Sequence, residues 1–292
     1  AKTNIILQSK DGGQTWQDIT NGLPENEQPE DFFVGKSEVY LRVNNEMYHS
    51  KSNLKTPVWE KENVSDLKSK SESAWPPLRL LSIVPESWPS THSMRSVFET
   101  SDGTIFLGYD REFYKSIDKG KNWKKILDQG GGDMVESEGV LLATGTKGIK
   151  RSTDNGENWQ WVISEGGVGI AVERIDGGFA AISFNTTTNS RRIRISLDGG
   201  KTWTAIDEGL QPSLSISSIK QVGKYLLCGH PDGIFRSSDM GKTWKMVHPS
   251  VDNAIPIFLK ASNITPSNDN RKVFKIYVSG NVLYAVARNS GC

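Results

Sequence analysis

"SLDGGKTW", Ser196–Trp203, sets a serine, an aspartate, two glycines and a tryptophan within one short stretch, and the chain writes that stretch again and again. "SKDGGQTW" (Ser9–Trp16), "SIDKGKNW" (Ser116–Trp123), "STDNGENW" (Ser152–Trp159) and "SSDMGKTW" (Ser237–Trp244) share the form S-x-D-x-G-x-[TN]-W. A worn sixth copy, "SKSNLKTPVW" (Ser50–Trp59), has Ser52 in the Asp position and has lost the glycine. Six of the nine tryptophans stand at this one motif position, which makes the repeat the organising feature of the chain.

The aligned positions are Asp11, Ser52, Asp118, Asp154, Asp198 and Asp239, with gaps of 41, 66, 36, 44 and 41 residues and 64 on closing the circle. A unit of about forty residues fits a four-stranded propeller blade. The two long gaps then hold one blade each plus an insertion, at about residues 63–93 and 261–272. Each motif follows paired apolar runs split by a polar loop, as in "GVLLATGTKGIKRS" and "KYLLCGHPDGIFRS". That pattern predicts a hairpin with the motif turning from the third to the outer strand.

The chemistry of the motif suits such a turn. Glycine supplies positive φ at little steric cost. The Asp carboxylate accepts N–H bonds from its own turn. The Trp anchors the hairpin by burial, at roughly 1.5–3 kcal/mol for a large side chain. Asp11 with Trp16, Asp118 with Trp123, Asp154 with Trp159, Asp198 with Trp203 and Asp239 with Trp244 are therefore read as structural. A calcium loop needs several carboxylates, and each motif offers one, so no metal and no cofactor is expected.

The motif resembles the Asp-box, or bacterial neuraminidase repeat, of sialidases and other β-propellers. The resemblance covers nearly the whole chain. It implies an all-β, six-bladed propeller of four-stranded antiparallel blades, and by itself it implies no activity. The chain opens as the second half of a blade ("TNIILQSKDGGQTW") and ends as the first half of one ("GNVLYAVARNSGC"). Both termini should share one blade, giving a single domain over 1–292 with no free edge between first and last blades.

Composition sets further bounds. A chain of 292 residues with 36% apolar content can bury a large core. Lys plus Arg number 35 and Asp plus Glu 34, a balance that offers nothing to nucleic acid. No apolar run reaches eighteen residues, so no helical membrane span is expected. The abrupt start inside a blade fits removal of a leader, and the expectation is an exported bacterial monomer. Cys228 and Cys292 fall near the second-to-third-strand region of adjacent blades; paired and unpaired readings both stand. Sequons occur at Asn63, Asn185 and Asn263.

In sialidases the active site lies on the face opposite the Asp-boxes. The resemblance places on that face Tyr109, Asp110, Arg111 and Glu112 from the third blade, and Lys147 from the fourth. Asn185 and Arg191 come from the fifth blade, His230 and Asp232 from the sixth, and Arg288 from the shared blade. The 63–93 insertion carries Trp75 and Trp88 outside any box, with Arg95 just beyond. Long loops with their own apolar residues bind ligands or plug a channel.

A sialidase needs an arginine triad, a Tyr–Glu nucleophile pair and an early "RIP" string; no "RIP" occurs here. Arg95, Arg111 and Arg288 are the arginines placed to grip a carboxylate. Asp110, Glu112 and Asp232 are the acids placed for another glycoside hydrolase, which requires paired carboxylates. The four histidines are scattered, and no zinc, nucleophile-elbow or phosphate-loop motif exists. The repeat style is closer to the Asp-box stability and assembly factors of photosystem II and the exported proteins that resemble them. The reading is a non-catalytic binding or scaffold propeller for a glycan or protein, with Trp75, Trp88, Arg95, Tyr109, Arg111, His230 and Arg288 as ligand contacts. The alternative is a glycoside hydrolase using the same face.

Overall fold

A computed structural model describes residues 5–24, 29, 31–34, 38–43, 46–51, 57–62, 94–100, 102–109, 112–128, 130–251 and 272–289. Among these residues there is no helix. The fold is all-β: six four-stranded antiparallel sheets, the blades of a propeller. The two insertions read in the sequence lie outside the described residues.

The chain divides into two compact units. One comprises Ala1–Val64 and Glu208–Cys292. Its first blade is built from β1 (Ile6–Ser9), β2 (Gln17–Asp18), β23 (Lys272–Ser279) and β24 (Val282–Asn289) in the order β2-β1-β24-β23. The N- and C-terminal strands thus share a sheet, with Ile6 opposite Val286 and Ser9 opposite Leu283. The second blade is β3 (Asp31–Val34), β4 (Glu38–Val43), β5 (Glu46–Lys51) and β6 (Glu60–Lys61). The sixth is β19 (Ser218–Val222), β20 (Tyr225–His230), β21 (Gly233–Ser237) and β22 (Lys245–Pro249).

The other unit is Ser65–Asp207. It holds the third blade, β7 (Met94–Glu99), β8 (Ile105–Tyr109), β9 (Glu112–Ser116) and β10 (Lys124–Leu127). The fourth follows as β11 (Gly130–Ser137), β12 (Val140–Gly145), β13 (Gly148–Ser152) and β14 (Gln160–Ile163). The fifth is β15 (Gly166–Ile175), β16 (Gly178–Asn185), β17 (Ser190–Ser196) and β18 (Thr204–Ala205).

Burial follows strand position. Second strands read as unbroken apolar runs, and Leu141–Gly145 and Leu226–His230 are buried throughout. Outer strands are exposed, as at Gln17–Asp18 and Thr204–Ala205. Within the first unit, Phe274, Ile276 and Leu283 pack against Leu227 and Ile234, and Tyr284 and Val286 pack with Phe32 and Leu41. Within the second, Phe106 and Phe113 pack with Leu141 and Ala143, and Leu142 and Ile149 with Val172 and Phe179.

All five intact boxes have the same hydrogen-bond plan. The Ser hydroxyl donates to the Asp, as in Ser196–Asp198 at 2.7 Å, and accepts the buried N–H of the second turn residue, Gly200, at 2.9 Å. The other Asp oxygen takes the Thr or Asn side chain: Thr202 Oγ1 lies 2.6 Å from Asp198 Oδ2, and Asn158 Nδ2 2.7 Å from Asp154 Oδ2. Two successive left-handed residues make the turn. The second is always glycine, with φ from 79° at Gly200 to 88° at Gly120. The first is glycine twice, and Lys119, Asn155 and Met240 adopt the same φ of 56–61° in the other boxes. At the second position a side chain would also collide: a Cβ on Gly13 would lie 2.3 Å from Leu227 Cδ2.

In the first, fourth and fifth blades the box tryptophan anchors its hairpin on the preceding blade. Trp159 packs with the Phe106–Phe113 cluster, and Trp203 with the Leu142–Ile149 cluster. Their indole N–H groups donate to the box glycine, Trp159 to Gly156 O at 3.0 Å and Trp203 to Gly200 O at 3.2 Å. The worn box has no such glycine, and Trp59 Nε1 donates instead to Ile19 O of the first blade at 2.8 Å. Ser50 takes the box-serine position, yet its buried hydroxyl has no hydrogen-bond partner among the described residues. The tryptophan anchor is thus kept in the worn box.

A second latch runs the opposite way. The residue just before the box serine is a cation in three blades, and it reaches the first turn carbonyl of the next box. Lys115 Nζ donates to Asn155 O at 3.0 Å, Arg151 Nε to Gly199 O at 2.7 Å, and Arg236 Nε to Gly12 O at 2.8 Å. Arg236 also stacks on Tyr225, 3.4 Å from the ring centroid. Tryptophan and cation together clasp successive blades within each unit.

Candidate binding surface

In the fourth, fifth and sixth blades the turn joining second and third strands lies at the end opposite the box. In the fourth blade the turn is closed by Gly145 opposite Gly148. Gly148 has φ 132°, and a Cβ there would fall 2.0 Å from Ile163 O. Gly233 repeats this in the sixth blade, with φ 146° and 2.1 Å to His248 O. Both glycines let the outer strand approach closely, next to a shift of strand register.

His230 is 1% exposed, and it orders the sixth-blade turn. Its Nε2 lies 2.8 Å from Gln211 O, and its Nδ1 accepts the Asp232 N–H at 3.1 Å. That set of partners selects the tautomer with the proton on Nε2. Asp232 Oδ2 is 3.4 Å from Nδ1, with the Asp232 side chain 27% exposed. His230 and Asp232 are thus brought together, the first buried and the second reaching solvent.

Glu112 is held on both oxygens, by the Tyr114 hydroxyl on Oε2 and by Lys125 Nζ on Oε1 at 3.0 Å. Burial first, and then the Glu112 bond, push the Tyr114 phenol up to about 12. The second blade repeats the triad: Tyr48 donates to Glu46 at 2.9 Å, and Lys61 to Glu46 at 2.5 Å. In the fifth blade Arg194, itself buried, contacts both oxygens of Glu165 at 2.6 Å, and Asn185 Nδ2 donates to Glu165 at 2.8 Å. Arg192 grips Asp207 through Nε and Nη2 at 2.6 and 2.9 Å. The sequence reading named none of the Glu165–Arg194 or Arg192–Asp207 partners; alternation alone does not say which charged strand residues face each other.

Arg288 lies next to the end of β24 and donates from Nη2 to Tyr277 Oη at 3.3 Å. Its Nε is buried and has no hydrogen-bond partner among the described residues. Tyr277 in turn packs on Phe32, with ring centroids 4.9 Å apart. Lys147 is exposed at the fourth-blade turn. Arg95 lies on β7 and Tyr109 ends β8. Asp110, Arg111, Trp75, Trp88 and Cys292 lie outside the described residues, as do Asn63 and Asn263. Cys228 is fully buried on β20. Among the described residues no cluster of His, Cys, Asp and Glu is arranged to hold a metal ion, and no helix is long and apolar enough to cross a membrane.

A family model for the BNR/Asp-box repeat matches residues 194–205, the box from which the sequence was first read. No curated protein matches the chain at a significant level. Solved structures with the same kind of fold include a chain of a nidogen/laminin complex, at 13% identity and TM-score 0.45, covering 80% of this chain and 88% of that one. YCF48 bound to a D1 peptide is similar at 17% identity and TM-score 0.35, over 92% and 96% of the two chains. A Hadza microbial sialidase is similar at 15% identity and TM-score 0.39, over 95% and 68%. Propellers similar to this chain thus include both binding proteins and hydrolases.

Proposed function

From a chain that carries BNR/Asp-box repeats on six four-stranded blades, we propose a non-catalytic binding propeller. It recognises a glycan or a protein through the turns opposite the boxes. The observation that supports this is how three acids, Glu112, Glu165 and Asp207, are engaged. Glu112 is held by Tyr114 and Lys125, Glu165 by Arg194 and Asn185, and Asp207 by Arg192. A glycosidase needs one acid protonated and another poised as base or nucleophile. Carboxylates locked onto guanidinium and ammonium groups serve neither role well.

Ligand contacts are assigned to Arg288, whose buried Nε has hydrogen-bonding capacity to spare, to His230 and the turn that it orders, and to Tyr109 and Arg95. Trp75, Trp88 and Arg111 are assigned to the ligand as aromatic and cationic anchors. The protein works as an exported monomer. Hydrolysis of fluorogenic glycosides by the purified chain tests the reading: no turnover is expected. Turnover that disappears in Asp110→Ala or Asp232→Ala would move the protein into the glycoside hydrolases. Light scattering on the same sample should return a mass near 32.3 kDa.

A further inference from the structure

The chain holds two Asn–Gly pairs, Asn21–Gly22 and Asn155–Gly156, and the fold treats them differently. Such a pair is prone to loss of the side-chain amide, because glycine sets no side chain in the way when its own backbone nitrogen turns on the asparagine Cγ. Asn155–Gly156 lies in the fourth-blade box. The peptide joining the two residues is held at both ends. The Asn155 carbonyl accepts from Lys115 Nζ at 3.0 Å, and the Gly156 N–H donates to Ser152 Oγ at 3.0 Å in a buried bond. Attack by the Gly156 nitrogen has to break that bond first.

Asn21–Gly22 lies in the turn after β2. Leu23 N donates to Thr20 O at 3.2 Å, and Gly22 has φ 94°. Thr20 and Leu23 are buried, and Asn21 and Gly22 stand exposed between them. Neither the Asn21 carbonyl nor the Gly22 N–H has a hydrogen-bond partner among the described residues. A Cβ on Gly22 would come no nearer than 3.8 Å to any other residue beyond its chain neighbours, so the nitrogen also has room to move.

We propose that Asn21 is a site of spontaneous deamidation and that the box shields Asn155 from the same chemistry. The Gly22 nitrogen gives up its proton and bonds to Asn21 Cγ. The Cγ–Nδ2 bond breaks, and Nδ2 leaves with a proton as ammonia. The cyclic imide that remains is opened by water, the one co-reactant. Opening at Cγ leaves aspartate; opening at the main-chain carbonyl leaves isoaspartate, with the chain routed through the side chain. Isoaspartate adds one atom to the main chain between Ile19 and Leu23. Ile19 O accepts the Trp59 indole N–H at 2.8 Å, and Leu23 packs in the same cluster as Trp59. The change therefore falls on the turn that anchors the worn box.

The test is incubation of the full chain in mildly alkaline buffer, followed by peptide mapping in a mass spectrometer and enzymatic methylation of isoaspartate. A sample unfolded in urea supplies the rates of the bare sequence. In the folded chain Asn21 should convert about tenfold or more faster than Asn155, whereas in urea the two should convert at comparable rates. Ser152→Ala should bring Asn155 closer to its unfolded rate. Hydrogen exchange at the Trp59 indole should quicken in step with conversion, and should stay constant over the same incubation in Asn21→Gln. Folded protein that keeps Asn21 intact through times that convert it in urea would overturn the proposal, as would equal conversion of the two pairs in the folded chain. Unchanged exchange at Trp59 in converted protein would overturn the effect on the anchor.

Discussion

Arg151→Met removes one latch and little else. Arg151 is 8% exposed, and its Nε donates to Gly199 O at 2.7 Å. Its stem packs on the same turn: a Cβ on Gly200 would lie 3.5 Å from Arg151 Cδ. Methionine keeps the apolar stem at similar length, so the packing survives and the charged hydrogen bond does not. A hydrogen bond from a charged donor contributes about 1.5–3 kcal/mol. The Gly199 residue is only half-buried, so water can take over its carbonyl and the loss should fall near the low end, about 1–2 kcal/mol. For a cooperative unit of this size that corresponds to a fall in Tm of roughly 2–6 °C. Calorimetry measures the fall, and hydrogen exchange localises it: the 196–203 turn should lose protection while the 237–244 turn keeps it. Arg151→Lys should recover part of the loss, since it keeps the charge without the Nε geometry. An unchanged Tm together with unchanged protection at 196–203 would refute the latch.

Ser196→Ala strips the buried Gly200 N–H of its acceptor and Asp198 of a donor, and should cost about 1–3 kcal/mol in urea unfolding. Gly233→Ala should destabilise by about 2–4 kcal/mol, since a Cβ there falls 2.1 Å from His248 O at φ 146°. Gly177→Ala, at φ 74° with nothing within 4 Å, should cost only about 1–2 kcal/mol by the same measurement. The box aspartates set the acid limit. Bonds from Asn122, Asn158 and Thr243 hold Asp118, Asp154 and Asp239 at about 2, and the Thr202 bonds hold Asp198 lower still. At Asp11 burial works against the Thr15 and Ser9 bonds, which still bring it to about 2. The folded values lie below the unfolded value of about 3.9, so this stabilisation is complete above pH 4 and is lost as pH falls towards 2. Circular dichroism should show acid unfolding steepening in that window, and Asp198→Asn should make it shallower.

The boxes were legible because their chemistry is local. Asp198, Thr202 and Gly200 lie within a few residues of one another, so spacing alone specifies the turn, and its repetition specifies the blades. The shared first blade was legible too, since "TNIILQSKDGGQTW" lacks the inner half of a blade and "GNVLYAVARNSGC" supplies the strand that pairs with it. The cation latch was not: Arg151 and Gly199 are 48 residues apart, and nothing in "GIKRS" says where the guanidinium points. His230 was read as a loop residue available to ligand, whereas both of its ring nitrogens are occupied within the turn. Loop position marks which residues are near a surface and leaves their hydrogen bonds unspecified.

The central claim is binding without catalysis, and a glycan array with hydrolysis followed on the same sugars addresses it most directly. The account predicts retained ligand on specific array positions, undiminished with time, and no released product. Product released from a bound sugar, abolished by Asp232→Ala, would contradict it.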